Sequence, residues 1–296
     1  MLELGQKLFA KMHRRKRHAN HNHEIHFLAR ELNLWLPEGI QSLIAGTYTP
    51  RPLKRLYFTD ETVDQLYPPD RVLQHILLQQ LKPTFSRVIN KNCYHIFGPH
   101  GVKLATQRIR QILQEKKPKF FIRVDVKSFY RSIPGFKLIQ DLKQYYEDPK
   151  VIKMLENVIK NPIDTPRGYK NPDCGIALRG PLSQFFSGIY LKKLDDAFDH
   201  ASVDYLRFND DILILCQTKR QFSRSRRRLM EVMKERHLTL SRKKSCMGSI
   251  NTGFHFLGIH YLGPQSQDIA NVTPSNDIQF NSVVNSLTFM GGGDKN

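Results

Sequence analysis

Three carboxylates are the residues best placed to do chemistry. Asp125 closes a short apolar, β-branched run, Phe120-Phe121-Ile122-Arg123-Val124-Asp125-Val126. Asp210 and Asp211 lie between two apolar runs, Tyr205-Leu206-Arg207-Phe208 and Ile212-Leu213-Ile214-Leu215. Strands that end in acids are costly to bury unless metal or cations match the charge. An all-oxygen ligand set suits a hard divalent ion such as Mg2+. Two such ions, about 3.5–4 Å apart, can clamp the attacking and leaving oxygens of an in-line displacement. Taken alone, Asn209-Asp210-Asp211 also reads as an ordinary hairpin turn, because Asn and Asp favour turns.

The elements that must hold these acids are read from hydrophobic periodicity. Residues 120–126 predict a buried strand and residues 204–216 a hairpin. Val72, Ile76 and the row Leu73, Leu77, Leu81 have helical spacing and predict a helix over 70–81. Further helices are expected over 102–114, over 136–159 with a break near Pro149, over 182–198 and over 220–237. The last carries Phe222, Leu229 and Met233 on one side and arginines on the other. Residues 254–261 read as a strand or hairpin, 93–101 as a turn-rich loop, and 1–36 as helix with a basic, His-rich middle. Pro37-Glu38-Gly39 and Thr49-Pro50-Arg51-Pro52 read as punctuation. His18, His21, His23 and His26 raise metal binding, but His21 and His23 would not share a helix face and no acidic or Cys cluster accompanies them. A solvated or RNA-facing segment is the favoured reading there. The order strand, helices, hairpin, helix, hairpin predicts an α+β sheet layered with helices.

Composition narrows the partners. A chain of 296 residues suits one large domain or two coupled subdomains. Lys and Arg total 46 against 27 Asp and Glu, a net charge of +19. That surplus favours a polyanionic partner. Cys93, Cys174, Cys216 and Cys246 form no Cys-x-x-Cys pair, so neither a disulfide framework nor a zinc site is expected. No apolar run approaches the ~18 residues of a membrane span, and Lys7, Lys11 and Arg14 to Arg17 break up the start. A cytoplasmic protein without a membrane association is expected.

Asp125-Val126-Lys127-Ser128-Phe129-Tyr130-Arg131-Ser132-Ile133 resembles the first catalytic motif of the bacterial reverse transcriptases of group II introns, retrons and diversity-generating retroelements. Gly175-Ile176-Ala177-Leu178-Arg179-Gly180-Pro181-Leu182-Ser183-Gln184-Phe185-Phe186 resembles the second. Tyr205 to Ile212 is similar to the aromatic-x-Asp-Asp motif, and Leu240-Ser241-Arg242-Lys243-Lys244-Ser245 to the fourth. Gly253-Phe254-His255-Phe256-Leu257-Gly258 resembles the primer grip. These stand in the family's order, and the resemblance covers roughly residues 46–261.

The resemblance implies a right-hand polymerase of α+β class, with an antiparallel ferredoxin-like palm sheet backed by helices and mostly helical fingers. Residues 1–45 would be a basic helical N-terminal extension, 46–115 the fingers, 116–262 the palm, and 263–296 a short thumb remnant or tail with a flexible Gly291-Gly292-Gly293. It implies an RNA-directed DNA polymerase, a nucleotidyltransferase extending a primer 3′-hydroxyl with deoxynucleoside triphosphates by two-metal catalysis. The implied cofactor is a pair of Mg2+ ions, with Mn2+ as a substitute. The partners would be an RNA template, a DNA or RNA primer and a structured non-coding RNA, in a mobile-element, retron-like or phage-defence setting. Asp125, Asp210 and Asp211, with the Val126 carbonyl, would hold the metals. Tyr130 would crowd a ribose 2′-hydroxyl, the group that distinguishes the two sugars. Leu178, Ser183 and Gln184 would lie near the incoming nucleotide, and Arg71 and Lys103 near its phosphates. Lys244 would protonate the leaving pyrophosphate. Phe256, Leu257 and Gly258 would hold the primer.

Several positions depart from the family pattern. Phe208 and Asn209 stand where Tyr and a small apolar residue are usual. Ala177-Leu178-Arg179 replaces a Pro-Gln-Gly run, which predicts reduced copying fidelity. Asp70-Arg71-Val72 is present, but residues 59–69 contain no basic residue, so Lys54, Arg55, Arg71 or Lys103 must grip the triphosphate. Only 35 residues follow Tyr261, which predicts either a minimal thumb or a truncated chain, and low processivity in both cases. Rival readings are a catalytically impaired or truncated RNA-binding relative, an RNA-copying RNA polymerase sharing the palm, and a structural protein with a ferredoxin-like sheet.

Overall fold

The structure, a computed structural model, describes residues 1–59, 62–178 and 180–262. The expected tail over 263–296 lies outside the described residues. In chain order the first elements are α1 (Leu2–Arg15), α2 (Glu24–Arg30), α3 (Leu32–Ala45), β1 (Leu53–Tyr57), β2 (Thr62–Gln65), α4 (Pro68–Val88), a 3-10 segment (Tyr94–His100) and α5 (Gly101–Glu115). Then follow β3 (Phe120–Asp125), α6 (Phe129–Ser132), α7 (Gly135–Lys143), α8 (Pro149–Ile159), β4 (Ile163–Thr165), β5 (Gly168–Lys170) and α9 (Ser183–Asp199). The last are β6 (Asp204–Phe208), β7 (Asp211–Cys216), α10 (Lys219–Glu235), β8 (Cys246–Ser249), β9 (Phe254–Phe256) and β10 (Ile259–Tyr261). The described residues divide into two compact units: unit 1 holds Met1–Val88 and Ile133–Ile189, and unit 2 holds Ile89–Ser132 and residues 190–262.

Unit 1 packs α1 and α3 on α4 beside a four-stranded sheet of order β2-β1-β4-β5. The close fit of α1 is visible at Gly5, where a Cβ would come within 2.7 Å of Leu36 Cδ1. Asp70 is buried, accepting from Tyr48 Oη at 2.8 Å and from the Arg51 backbone N–H at 3.0 Å, so it anchors the start of α4. The single helix expected over 1–36 is instead three. The His-rich stretch interrupts it, and His23 begins α2 by accepting the Ile25 N–H on its ring. Pro37 and Gly39 do not break the chain either: they lie inside α3, where Gly39 allows Leu73 to approach.

Unit 2 is built on a four-stranded antiparallel sheet of order β6-β7-β3-β8. The chain order β3, helices, β6, β7, α10, β8 makes this the ferredoxin-like β-α-β-β-α-β arrangement. One face carries Phe121, Leu206, Leu213 and Leu215, packed with Ile109 and Ile112 of α5 and with Phe254, Phe256 and Tyr261 of the β9–β10 hairpin. On the other face, α10 packs against β3 and β7. Its N-terminus is fixed by a capping box in which Thr218 and Gln221 satisfy each other's backbone N–H. The loop expected over 93–101 is wound into the 3-10 segment, kinked at Gly98 (φ 60°).

Candidate catalytic site on the palm sheet

The acids are positioned by strand register. β3 and β7 pair so that Asp125 stands directly opposite Asp211, and the two share a sheet face with Arg123 and Phe121. β6 and β7 are joined by a two-residue turn, Asn209-Asp210, which puts Asp210 beside the pair. Asn209 adopts φ 55°, a left-handed conformation that Asn tolerates better than most residues. The departure at Asn209 is therefore matched to its turn.

Charge accumulates at this strand end. Burial, then repulsion from Asp211 and Asp125, pushes the Asp210 carboxyl up to about 7. Asp211 is raised to about 6, by burial and then by Asp125. Asp125 is also raised, chiefly by burial, against the pull of Lys244 and Arg123. Lys244 Nζ lies 3.7 Å from Asp125 Oδ2, and Arg123 Nη2 lies 3.9 Å from Asp211 Oδ1. The Lys244 loop is tied to the strand end by backbone bonds, Ser241 N–H to Asp125 O and Lys127 N–H to Thr239 O, both 2.8 Å. Ser245 Oγ accepts the Asp125 N–H at 3.3 Å. Sequence reasoning missed Arg123, although its i, i+2 spacing from Asp125 places it on the same face of a strand.

Behind the turn is a buried polar network that local patterns did not announce. Arg207 and Asp195 are both fully buried and pair through two short bonds, Nε to Oδ1 at 2.7 Å and Nη2 to Oδ2 at 2.6 Å. Tyr205 Oη donates to the same Asp195 at 2.7 Å. Arg207 Nη1 donates to the Asn209 carbonyl at 3.0 Å, and the Asn209 N–H donates to His95 Nδ1 at 3.2 Å. Both ends of the turn peptide are thus held from the unit interior.

The remaining candidates fall in several places. Val126 is buried and bridges to Leu240. Tyr130 is half-buried on α6, with its ring against Phe129. Phe256 is buried in the β9–β10 hairpin, on the acid-bearing side of the sheet, with Leu257 and Gly258 as its turn. Leu257 has φ 50° and Gly258 φ 76°, so the turn holds a leucine in a left-handed conformation that it rarely adopts. Lys103 is exposed on α5 of unit 2. In unit 1, Arg71 and Leu178 line one pocket of about 300 Å³ with Leu56, Phe58, Val63, Asp64, Gln65 and Leu66. Arg55 is committed to Asp64 by two bonds of 2.7 and 2.9 Å, which leaves Arg71 as the arginine in that pocket. Ser183 Oγ donates to the Ala177 carbonyl at 2.5 Å and helps start α9, with half-buried Gln184 next to it.

The donor set fits a divalent cation in its chemistry: three oxygen ligands whose mutual repulsion a cation would relieve. It is not a preformed cage, because among the described residues no group of three or more His, Cys, Asp or Glu is placed to hold a metal ion.

A ferredoxin-like sheet with acids at the tips of its central strands defines an α+β polymerase-type fold. The chain belongs to the reverse transcriptase (RNA-dependent DNA polymerase) family, whose sequence model matches residues 65–261. Members of this family generally use divalent metal ions. The chain is 24% identical over 163 residues to the group II intron-encoded protein LtrA of Lactococcus lactis subsp. cremoris. That match covers 53% of this chain and spans 27% of the relative. Among solved structures, apo telomerase from Candida tropicalis aligns with a TM-score of 0.56 at 11% identity, covering 72% of this chain and 47% of that one. A form of the same telomerase truncated from its C-terminal domain aligns at 0.50 and 14% identity, covering 63% and 44%. These structural likenesses show the fold. No helix among the described residues is long and apolar enough to cross a membrane.

Proposed function

We propose that this chain is an RNA-directed DNA polymerase that extends a primer 3′-hydroxyl with deoxynucleotides along an RNA template. The observation that supports this most is the register placing Asp125 opposite Asp211, with Asp210 on the adjoining turn and Lys244 alongside. In this reading Asp125, Asp210 and Asp211, with the Val126 carbonyl, hold two Mg2+ ions, for which Mn2+ can substitute. When bound, the ions favour deprotonation of the primer hydroxyl and offset charge on the leaving pyrophosphate. Lys244 delivers a proton to that pyrophosphate. Tyr130 excludes a 2′-hydroxyl. Arg71 and Lys103 bind phosphates, Leu178, Ser183 and Gln184 contact the nucleotide, and Phe256, Leu257 and Gly258 steady the primer. A retroelement setting, whether mobile intron, retron-like or phage defence, and a structured RNA partner are inferred from the family.

The test is primer extension on a defined RNA template with deoxynucleotides and Mg2+. Wild-type protein should extend the primer, and Asp210→Asn should abolish extension while retaining the fold. A second reading, a catalytically impaired RNA-binding relative, draws on the acids not being gathered around one ion position. Purified wild-type protein that binds primed RNA yet adds no nucleotide with either Mg2+ or Mn2+ would replace the first reading with the second.

A further inference from the structure

The arginines of α10 line a groove at the end of the palm hairpin remote from the acids. The groove, about 860 Å³, has Arg220, Arg224, Arg227 and Arg228 on one wall and the chain from Ala197 to Val203 on the other. The four arginines follow i, i+4, i+7, i+8 spacing and so form one stripe along the helix. All four are exposed, while the neighbouring stripe of Ser225, Leu229, Val232 and Met233 is buried against the sheet. Ser202 and Val203 precede β6, and Thr218 and Arg220 follow β7. The groove therefore sits at the open end of the β6–β7 hairpin. Asp211 pairs with Phe208 at the closed end, and Leu215 with Asp204 at the open one. Four strand steps of ~3.3 Å separate the two pairs by about 13 Å.

The electrostatics of α10 are unfavourable for an isolated helix. Its first turn contains no acidic residue and begins with Lys219 and Arg220, against the positive end of the helix dipole. Glu231 sits 4.0 Å from Arg227 and 3.9 Å from Arg228. Among the described residues, no carboxylate pairs with Arg220 or Arg224. A stripe of four guanidinium groups, the two nearest the helix N-terminus without a carboxylate and the other two sharing one, carries a net positive charge facing a concave wall and is complementary to a run of phosphates. The opposite wall is held in place by Gln221 Nε2, which donates to Ser202 O at 2.7 Å. Ser202 Oγ accepts from the same amide at 3.4 Å, so its own proton is available to a ligand hydroxyl. Exposed His200 adds a further polar group.

We propose that this groove docks the backbone of an RNA strand outside the polymerising site, with the arginines on phosphates and Ser202 and His200 toward ribose 2′-hydroxyls. Such a surface would retain template or structured RNA while the acids work at the other end of the sheet. The choice of RNA rests on the proposed function, but the binding itself does not require catalysis.

The experiment measures binding of a labelled single-stranded RNA, the same sequence as DNA, and poly-glutamate, without nucleotides or metal. It compares wild type with Arg220→Ala/Arg224→Ala/Arg227→Ala/Arg228→Ala and with the corresponding four Arg→Lys changes. The alanine variant should bind RNA at least about tenfold more weakly, and its log-log salt dependence should flatten by about 3, or ~0.7 for each lost phosphate contact. The lysine variant should recover most of the loss. Extension of a short primer-template that does not reach the groove should be unchanged. Unaltered RNA affinity in the alanine variant would overturn the proposal. Equal losses on DNA and RNA would overturn its RNA assignment, and tighter binding of poly-glutamate than of RNA would make the groove a protein-docking surface instead. If wild type fails to extend any primer but the RNA losses appear, the function reading falls while the groove stands.

Discussion

Replacing Asp210 with Asn should stabilise the metal-free protein, and by more as pH rises. In the folded chain Asp210 is held at about 7 and Asp211 at about 6, against an ordinary 3.8. A carboxyl raised in this way binds its proton more tightly folded than unfolded. Below about pH 4 both states are protonated and nothing is lost. Between about pH 4 and pH 7 the unfolded state gives up its proton first, so stability falls, and above about pH 7 the loss is complete. From about pH 5 to pH 8 the part still to be traversed by Asp210 is roughly two pKa units. At about 1.36 kcal/mol per unit this is at most about 3 kcal/mol. The Asp211 side chain keeps 32% of its exposure, so water is present at this strand end. Solvent screening brings the expectation to about 1–2 kcal/mol. Urea unfolding of wild type and Asp210→Asn, at both pH values and with and without Mg2+, reads the difference. The Asn advantage should widen by that amount from low to high pH, and Mg2+ should shrink it by stabilising wild type more. An advantage identical at the two pH values would refute the view that like-charge crowding governs this strand end.

Asp195→Asn should cost about 3–5 kcal/mol, because it leaves the Arg207 guanidinium buried without its counter-charge; equilibrium unfolding checks this, and a loss under about 1 kcal/mol would count against a tightly coupled pair. Lys244→Ala should slow nucleotide addition about 100-fold while Lys244→Arg restores part of the rate; equal single-turnover rates for wild type and the alanine variant would remove Lys244 from the proton path. Leu178→Gln should lower the misincorporation frequency, read by sequencing products from a defined template, and an unchanged error spectrum would sink the fidelity argument. Gly253 has φ 69°, and a Cβ there would meet His260 Nε2 at 2.8 Å. Gly253→Ala should therefore destabilise the β9–β10 hairpin by about 1 kcal/mol or more, visible as faster amide exchange there; unchanged exchange would mean the turn tolerates the strain.

The parts of this fold that sequence patterns announce are those with a strong local signal. β3 and the β6–β7 hairpin are apolar runs bounded by turn residues, and they emerge within a residue or two of the expected limits. α10 likewise shows its apolar stripe. The rest depends on partners distant in the chain. β8, Cys-Met-Gly-Ser, has no strand-like pattern and is a strand because β3 offers it an edge, pairing Phe120 with Ser249 and Arg123 with Cys246. β1 and β4 pair in parallel from more than a hundred residues apart. Residues 133–189 join the N-terminal segment in unit 1, which no local periodicity could announce. At the candidate site, the acids and Lys244 were legible as motif residues, but Arg123 and the His95–Arg207–Asp195 support were not. Their roles come from tertiary pairing and not from composition. The positive φ of Leu257 was equally invisible, since leucine is a poor indicator of such a turn.

One further consequence lies in β7, whose residues Ile212 to Cys216 are buried without alternation. Most strands are kept from sliding because one side is greasy and the other wet, so a shift of one place would turn the wrong side to water. β7 has lost that safeguard, as a central strand covered above and below must. What keeps it from slipping by one step is the tight two-residue link at Asn209-Asp210, clamped by His95 and Arg207. The alignment of the acids and the threading of the sheet thus share a single mechanical latch, and loosening it would disturb both together.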